Sequence, residues 1–147
     1  MPPQRILLVD GHSVIFAWPQ LTALHRQRTE RARNALVKLL TTYQDMTDFQ
    51  VAVVFDGKGA RTQKLPTDAE GIQIFYSESN KTADSIIERL VAKYAKQYQI
   101  LVATDDHLEQ QTVLSLGAEF MSTQQLQVEL EYAERDFAQI LDRLRTQ

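Results

Sequence analysis

Apolar residues along this chain follow two patterns, and the patterns alternate. One is a short, continuous apolar run: Ile6-Leu7-Leu8-Val9, then Val51 to Phe55 within Gln50–Asp56, Ile72 to Tyr76, Ile100 to Ala103 within Gln99–Thr104, and Ala118 to Met121. Runs of this length without strict polar alternation suit strands covered on both faces, as in a parallel sheet between helices. The other pattern spaces apolar residues by three and four. Between Thr29 and Met46 it takes in Ala32, Ala35, Leu36, Leu39, Leu40 and Tyr43; from Thr82 to about Tyr98 it takes in Ile86, Ile87, Leu90, Val91, Tyr94 and Ala95. Both stretches predict helices with one buried face.

Punctuation between the runs supports the same division. Thr82 as an N-cap puts Asp84 in the first turn of its helix, at the positive end of the dipole. A short helix over His107–Leu116 stops at Gly117. Ser122 with Gln125 has capping-box spacing and opens a long last helix, about 123–144, with Leu126, Leu130, Ala133, Phe137, Ile140, Leu141 and Leu144 on or near one face. That helix could dock on its own sheet or on another protein. Val14 to Trp18 is apolar but runs into Pro19, so a short turn or helix start followed by a loop is expected there. Five βα units with right-handed crossovers predict an α/β fold with a parallel sheet, in one domain spanning 1–147.

Composition narrows the chemistry. The chain has no cysteine, which removes disulfides, cysteine-zinc sites and thiol catalysis. No apolar run approaches the ~18 residues of a membrane span, and Pro2-Pro3-Gln4 leads into the first strand without a signal peptide, so a cytoplasmic address and no membrane partner are expected. Sixteen Lys and Arg against nineteen Asp and Glu leave a net charge of −3. That is the wrong sign for gripping nucleic acid by a broad basic face, so any such contact must be local.

The acids have an order of their own. Asp10, Asp56 and the Asp105-Asp106 pair each follow a predicted strand, and Asp84 opens the helix after the third. One aspartate at a strand end is ordinary turn or cap chemistry. Several on the carboxyl-end rim of one sheet, where open α/β sheets bind ligands, repel one another unless a hard divalent cation compensates them. Carboxylates that hold Mg²⁺ or Mn²⁺ can support metal-assisted phosphoryl chemistry. A haloacid-dehalogenase-type phosphatase would want an acid two residues after Asp10, where His12 stands; a dinucleotide fold would want a glycine-rich turn, where only Gly11 is present.

Leu7-Leu8-Val9-Asp10-Gly11-His12-Ser13, Ala17-Trp18-Pro19-Gln20-Leu21, Val53-Val54-Phe55-Asp56, Thr82-Ala83-Asp84 with Ile87-Glu88, and Thr104-Asp105-Asp106 with Glu109-Gln110 together resemble the YacP-type NYN nucleases, a branch of the PIN-like superfamily. The likeness runs from about Ile6 to the last helix. It implies a Rossmann-like three-layer α/β/α fold, a five-stranded sheet of order 3-2-1-4-5 and a metal-dependent ribonuclease of bacterial or plastid type. It also implies that Asp10, Asp84 and Asp106 are catalytic and hold one or two Mg²⁺ or Mn²⁺ ions, with Asp56 as a further ligand. Ser13, Thr104, Asp105 and Glu88 are supporting residues. Two positions depart from the family pattern: Ser13 stands where asparagine is common, and Asp105 fills a serine position.

The expected activity is endonucleolytic cleavage of single-stranded RNA by metal-activated water. The alternatives are an RNA- or protein-binding module of the same fold that has lost activity and, more distantly, a metal-dependent phosphatase. Lys58, Arg61 and Lys81 are candidates for holding backbone phosphates, or else belong to solvated loops. Trp18 could stack on a base or anchor its loop beside Pro19. Glu88 could support the metal or pair with a lysine. His12 suits packing or substrate contact better than general-base chemistry, and His25 and His107 read as ordinary surface residues. The charge suggests that a larger ribonucleoprotein presents the RNA.

Overall fold

A computed structural model describes residues 4–57, 71–78 and 82–146. In chain order the elements are β1 (Arg5–Asp10), α1 (Gly11–Ala17), α2 (Pro19–Gln27), α3 (Thr29–Met46), β2 (Phe49–Phe55), β3 (Gln73–Tyr76), α4 (Ala83–Tyr94), β4 (Gln99–Ala103), α5 (His107–Ser115), β5 (Glu119–Met121) and α6 (Thr123–Arg145). The strands form one sheet of order β3-β2-β1-β4-β5, and every pair is parallel. β1 lies at the centre, with Leu8 opposite Ala52 on one side and Val102 on the other.

Central strands must bury both faces, which is why their runs are apolar throughout. Leu7, Val9, Val51, Val53 and Phe55 turn to one face and pack against Val14, Leu21, Leu36, Leu40 and Leu126 from α1, α2, α3 and α6. Leu8, Ala52, Val54, Ile100 and Val102 turn to the other and meet Ile87 and Val91 of α4 and Val113 of α5. The result is the three-layer α/β/α sandwich that the apolar runs imply.

The stretch before Pro19 departs from expectation. A helix does start before Pro19, as α1, but a second helix follows it in place of the expected loop. Asp10 caps α1, its carboxylate accepting from the Ser13 N–H, and Trp18 is extended (φ −94°, ψ 118°), as a residue before proline must be. Pro19 then occupies the first turn of α2, where its missing N–H costs nothing, so the proline starts a helix where the sequence suggested an end.

α6 begins at Ser122, whose hydroxyl accepts from the Gln125 N–H at 3.0 Å. Leu126 and Leu130 dock on the sheet, while Phe137, Ile140, Leu141 and Leu144 are exposed. Among the described residues, no helix is long and apolar enough to cross a membrane.

Candidate active site

The carboxyl ends of β1 and β4 lie side by side, which brings Asp10 next to Thr104 although 94 residues separate them. Asp10 is only 5% exposed. Its Oδ2 accepts from the Thr104 hydroxyl and the Ser13 hydroxyl, each at 2.9 Å, and its Oδ1 from the Ser13 N–H at 3.5 Å. Each hydroxyl has one hydrogen and both point at Asp10, so the 3.4 Å approach of Ser13 Oγ to Thr104 Oγ1 adds no third bond. Their lone pairs hold the next strand end: Ser13 Oγ accepts from the Asp105 N–H at 3.2 Å, and Thr104 Oγ1 from the Asp106 N–H at 3.2 Å. Two hydroxyls thereby fix one carboxylate and the backbone that carries another. Ser13 does this with the shorter reach of serine, in the position where the family pattern commonly has asparagine.

Gly11 makes room for the bend after Asp10. A Cβ there would lie 2.5 Å from the Phe55 ring and 3.0 Å from the Val54 carbonyl oxygen. The glycine therefore lets α1 start directly beside β2.

Asp106 caps α5, accepting from the Leu108 N–H at 3.0 Å and the Glu109 N–H at 3.4 Å. Asp84 lies in the first turn of α4. A helix N-terminus favours a carboxylate by ~0.3–1 kcal/mol, yet the Asp84 carboxyl is pushed up to about 6. Burial contributes most, followed by the charges of Asp10, Asp106 and Glu88 and a hydrogen bond with Asp106. These acids therefore share one electrostatic field, and burial together with their repulsion outweighs the dipole.

A fifth acid, Glu109, stands at the third position of α5 and is 1% exposed. Neither of its carboxyl oxygens finds a hydrogen-bond donor. It faces Glu88, another acid, which can supply a hydrogen only if one of the pair is protonated. Burial first, then the Glu88 contact and the charges of Asp84, Glu88 and Asp10, push the Glu109 carboxyl up to about 9. Glu109 falls within the family pattern, but the sequence gives it no role. Asp106-x-x-Glu109 has capping-box spacing, and a capping-box glutamate would reach back to the Asp106 N–H. Thr104 already holds that N–H, and the Glu109 side chain turns inward.

The other candidates are placed differently. Asp56 caps α4, its Oδ1 accepting from the Ala83 N–H at 3.2 Å, and it is not among the acids that raise Asp84. Asp105 points away from Asp10: its two oxygens accept from the Thr123 N–H at 2.8 Å and the Thr123 hydroxyl at 2.7 Å, tying α6 to the end of β4. Trp18 is 2% exposed and donates from Nε1 to the Thr123 carbonyl at 3.1 Å. It is an anchor between α1 and α6, and the stacking role is withdrawn because its ring is not accessible. Lys58, Arg61 and Lys81 lie outside the described residues. Glu88 faces Glu109 and Asp84, with no lysine pairing to it among the described residues.

Among the described residues, no three His, Cys, Asp or Glu side chains already stand in an arrangement that holds an ion. Asp84 lies in the field of Asp10 and Asp106, where burial and then their charges hold its carboxyl up at about 6. The donor set nonetheless fits a hard divalent cation: it is all oxygen and all acidic, and it includes a buried carboxyl with two orphaned oxygens.

A parallel sheet of order 3-2-1-4-5 between two helical layers is a PIN-like α/β fold, and the family match places the chain among nuclease-type domains. The model of the YacP-like NYN domain matches residues 7–147, and the chain belongs to that family. It is 37% identical over 131 residues to the uncharacterized protein YacP of Bacillus subtilis (strain 168), covering 88% of this chain and 77% of that protein. The crystal structure of Rae1 (YacP) from Bacillus subtilis superposes with a TM-score of 0.79 at 36% identity, over 96% of this chain and 82% of that one. A tryptophan-to-leucine mutant of the same protein gives a TM-score of 0.81 at 34% identity, over 97% and 84%.

Proposed function

We propose that this protein is a metal-dependent endoribonuclease acting on single-stranded RNA. The observation that carries the reading is the convergence of Asp10, Asp84, Asp106 and Glu109 in one field, with two of the four carboxyls raised above their ordinary range. Like charges so placed destabilise a fold, and a site that accepts this cost is a candidate for chemistry.

Asp10, Asp84 and Asp106 are the residues that would hold Mg²⁺ or Mn²⁺, with Glu109 and Glu88 behind them. Held by these residues, such an ion would supply Lewis acidity, lowering the pKa of a water and offsetting charge on the phosphodiester. The chain's own residues do the positioning. Ser13 and Thr104 hold Asp10 in one orientation, and Thr104 also fixes the Asp106 backbone. Asp56 and Asp105 set the starts of α4 and α6, and through α4 the placement of Asp84. With a net charge of −3, affinity for free RNA is weak and salt-sensitive, which suits a substrate presented by a larger ribonucleoprotein.

The test is incubation with labelled single-stranded RNA and, separately, a phosphomonoester, in Mn²⁺ or in chelator. Cleavage of the RNA alone, dependent on Mn²⁺ and lost in Asp10→Asn, is expected. RNA cleavage that persists in chelator overturns the reading. Binding without cleavage under every metal makes the protein a binding module of the same fold.

A further inference from the structure

A cleft of about 490 Å³ opens beside the acids, between α1, α2, α3 and the end of β2. Its volume lies in the ordinary range of small-molecule sites, roughly 300–1,000 Å³. His12, two residues after Asp10, and Asp56 line its near side, so the cleft adjoins the carboxyl-end rim. Along one wall three rings run in series: His12 lies 4.6 Å from Phe16, and Phe16 4.7 Å from His25, centroid to centroid. Phe16 is 50% exposed and lies in the wall of the cleft, so its ring is within reach of an occupant. His25, expected at the surface, has its Nδ1 shut off from solvent and without a partner.

The opposite wall is built around Arg33. Its guanidinium donates to the Asp56 carbonyl at 2.8 Å and lies 4.9 Å from the Phe55 ring centroid and 5.8 Å from that of Tyr76. An arginine held on aromatic faces is preorganised and presents its remaining N–H groups in a fixed plane. Glu30, three residues before Arg33 on α3, adds one carboxylate to this wall, while the Asp56 carboxylate is turned to the Ala83 N–H. Glu30 balances the one arginine, so the wall carries no surplus of positive charge for a phosphate. A neutral, flat, aromatic group with hydrogen-bonding edges fits better.

We propose that this cleft receives one unstacked nucleobase of the RNA whose phosphodiester lies at the acids, with the base stacked on Phe16 and its edge met by Arg33 and Glu30. The proposal rests on the ribonuclease reading above and names a base-recognition subsite for it. Base stacking on an aromatic side chain needs an exposed ring such as that of Phe16 and tolerates any base. The polar edge of the cleft supplies whatever preference exists.

The test combines Phe16→Ala and Phe16→Trp with a scan of single abasic nucleotides along a short RNA, reading steady-state cleavage in Mn²⁺. Phe16 is half exposed and its hydrogen-bonding duties are nil, so both variants are expected to fold, and circular dichroism checks this. Loss of one stacked base raises KM by roughly 5- to 100-fold in Phe16→Ala with kcat unchanged, and Phe16→Trp restores it. One abasic position in the RNA raises KM of the wild type by the same factor and has no further effect in Phe16→Ala. Equal KM for wild type and Phe16→Ala overturns the proposal and leaves the ribonuclease reading standing. A Phe16→Ala defect that no abasic position reproduces also overturns it, and points to a protein side chain as the occupant. If the wild type cleaves no RNA in any metal, the ribonuclease reading itself fails and the subsite falls with it.

Discussion

Replacing Glu109 by glutamine leaves the shape of the side chain intact and removes its ability to ionise. In the folded chain this carboxyl is shut off from water, its oxygens have no donor, and its pKa is pushed up to about 9. In the unfolded chain it titrates near the ordinary glutamate value. A group whose folded pKa is raised keeps a proton that the unfolded chain gives up. Its contribution to stability is therefore complete below pH ~4.5 and drains away as pH climbs towards 9, at about 1.4 kcal/mol per unit. The nominal total, about 6 kcal/mol, rivals the whole stability of an average domain. With rotation of the side chain and entry of water taken to relieve two-thirds of it, about 2 kcal/mol is left by pH 9. For a chain of this length that is a shift of roughly 4–8 °C in Tm. The amide of the new glutamine would also donate a hydrogen to Glu88. Thermal unfolding of wild type and Glu109→Gln in chelator, followed by circular dichroism from pH 5 to 9, measures the difference directly. The two curves are expected to meet near pH 5 and separate as pH rises, with the variant the more stable. Parallel curves, or a variant less stable than wild type at pH 8, refute the reasoning.

Three further outcomes follow from the same geometry. Thr104→Val keeps the shape but removes the hydroxyl shared between Asp10 and the Asp106 N–H, costing about 1–3 kcal/mol in urea unfolding. The same change is expected to lower RNA cleavage about 10- to 100-fold, as loss of a residue that orients a metal ligand does. Gly11→Ala drives a methyl against Phe55 and is expected to lower the urea midpoint by the equivalent of about 1–3 kcal/mol at unchanged m-value. Because the Asp84 carboxyl is pushed up to about 6, it is protonated below that pH and charged above it. Calorimetric affinity for Mn²⁺ should thus fall by roughly tenfold per unit below pH 6, and a flat profile between pH 5 and 7.5 contradicts this.

The fold was legible where burial on two faces forces continuous apolar runs. β1, β2 and β4 stand within a residue of their expected bounds because their apolar runs are too short for a buried helix and end on turn residues. α1 and α2 were less legible: Pro19 reads as a stop from sequence, and only the extended Trp18 and the docking of Leu21 show it as a start. Among the acids, the rim of a parallel sheet grouped Asp10, Asp56, Asp84, Asp105 and Asp106 together, and only the family resemblance ranked Asp10, Asp84 and Asp106 first. Asp56 and Asp105 sit on the same rim, yet their carboxylates are turned to the N-termini of α4 and α6, a choice made by local hydrogen bonds that spacing does not encode. Glu109 was obscured by its capping-box spacing. Its inward turn depends on Thr104, across a strand end, taking the N–H it would otherwise have sought.

The central claim is that these carboxyls form a divalent-cation site. Crystals grown with Mn²⁺ and measured for anomalous scattering at the manganese edge test it most directly. The account predicts a peak bounded by carboxylate oxygens of Asp10, Asp84 and Asp106 at about 2.0–2.6 Å. Absence of a peak among these residues at saturating Mn²⁺, or a peak only elsewhere on the chain, contradicts it.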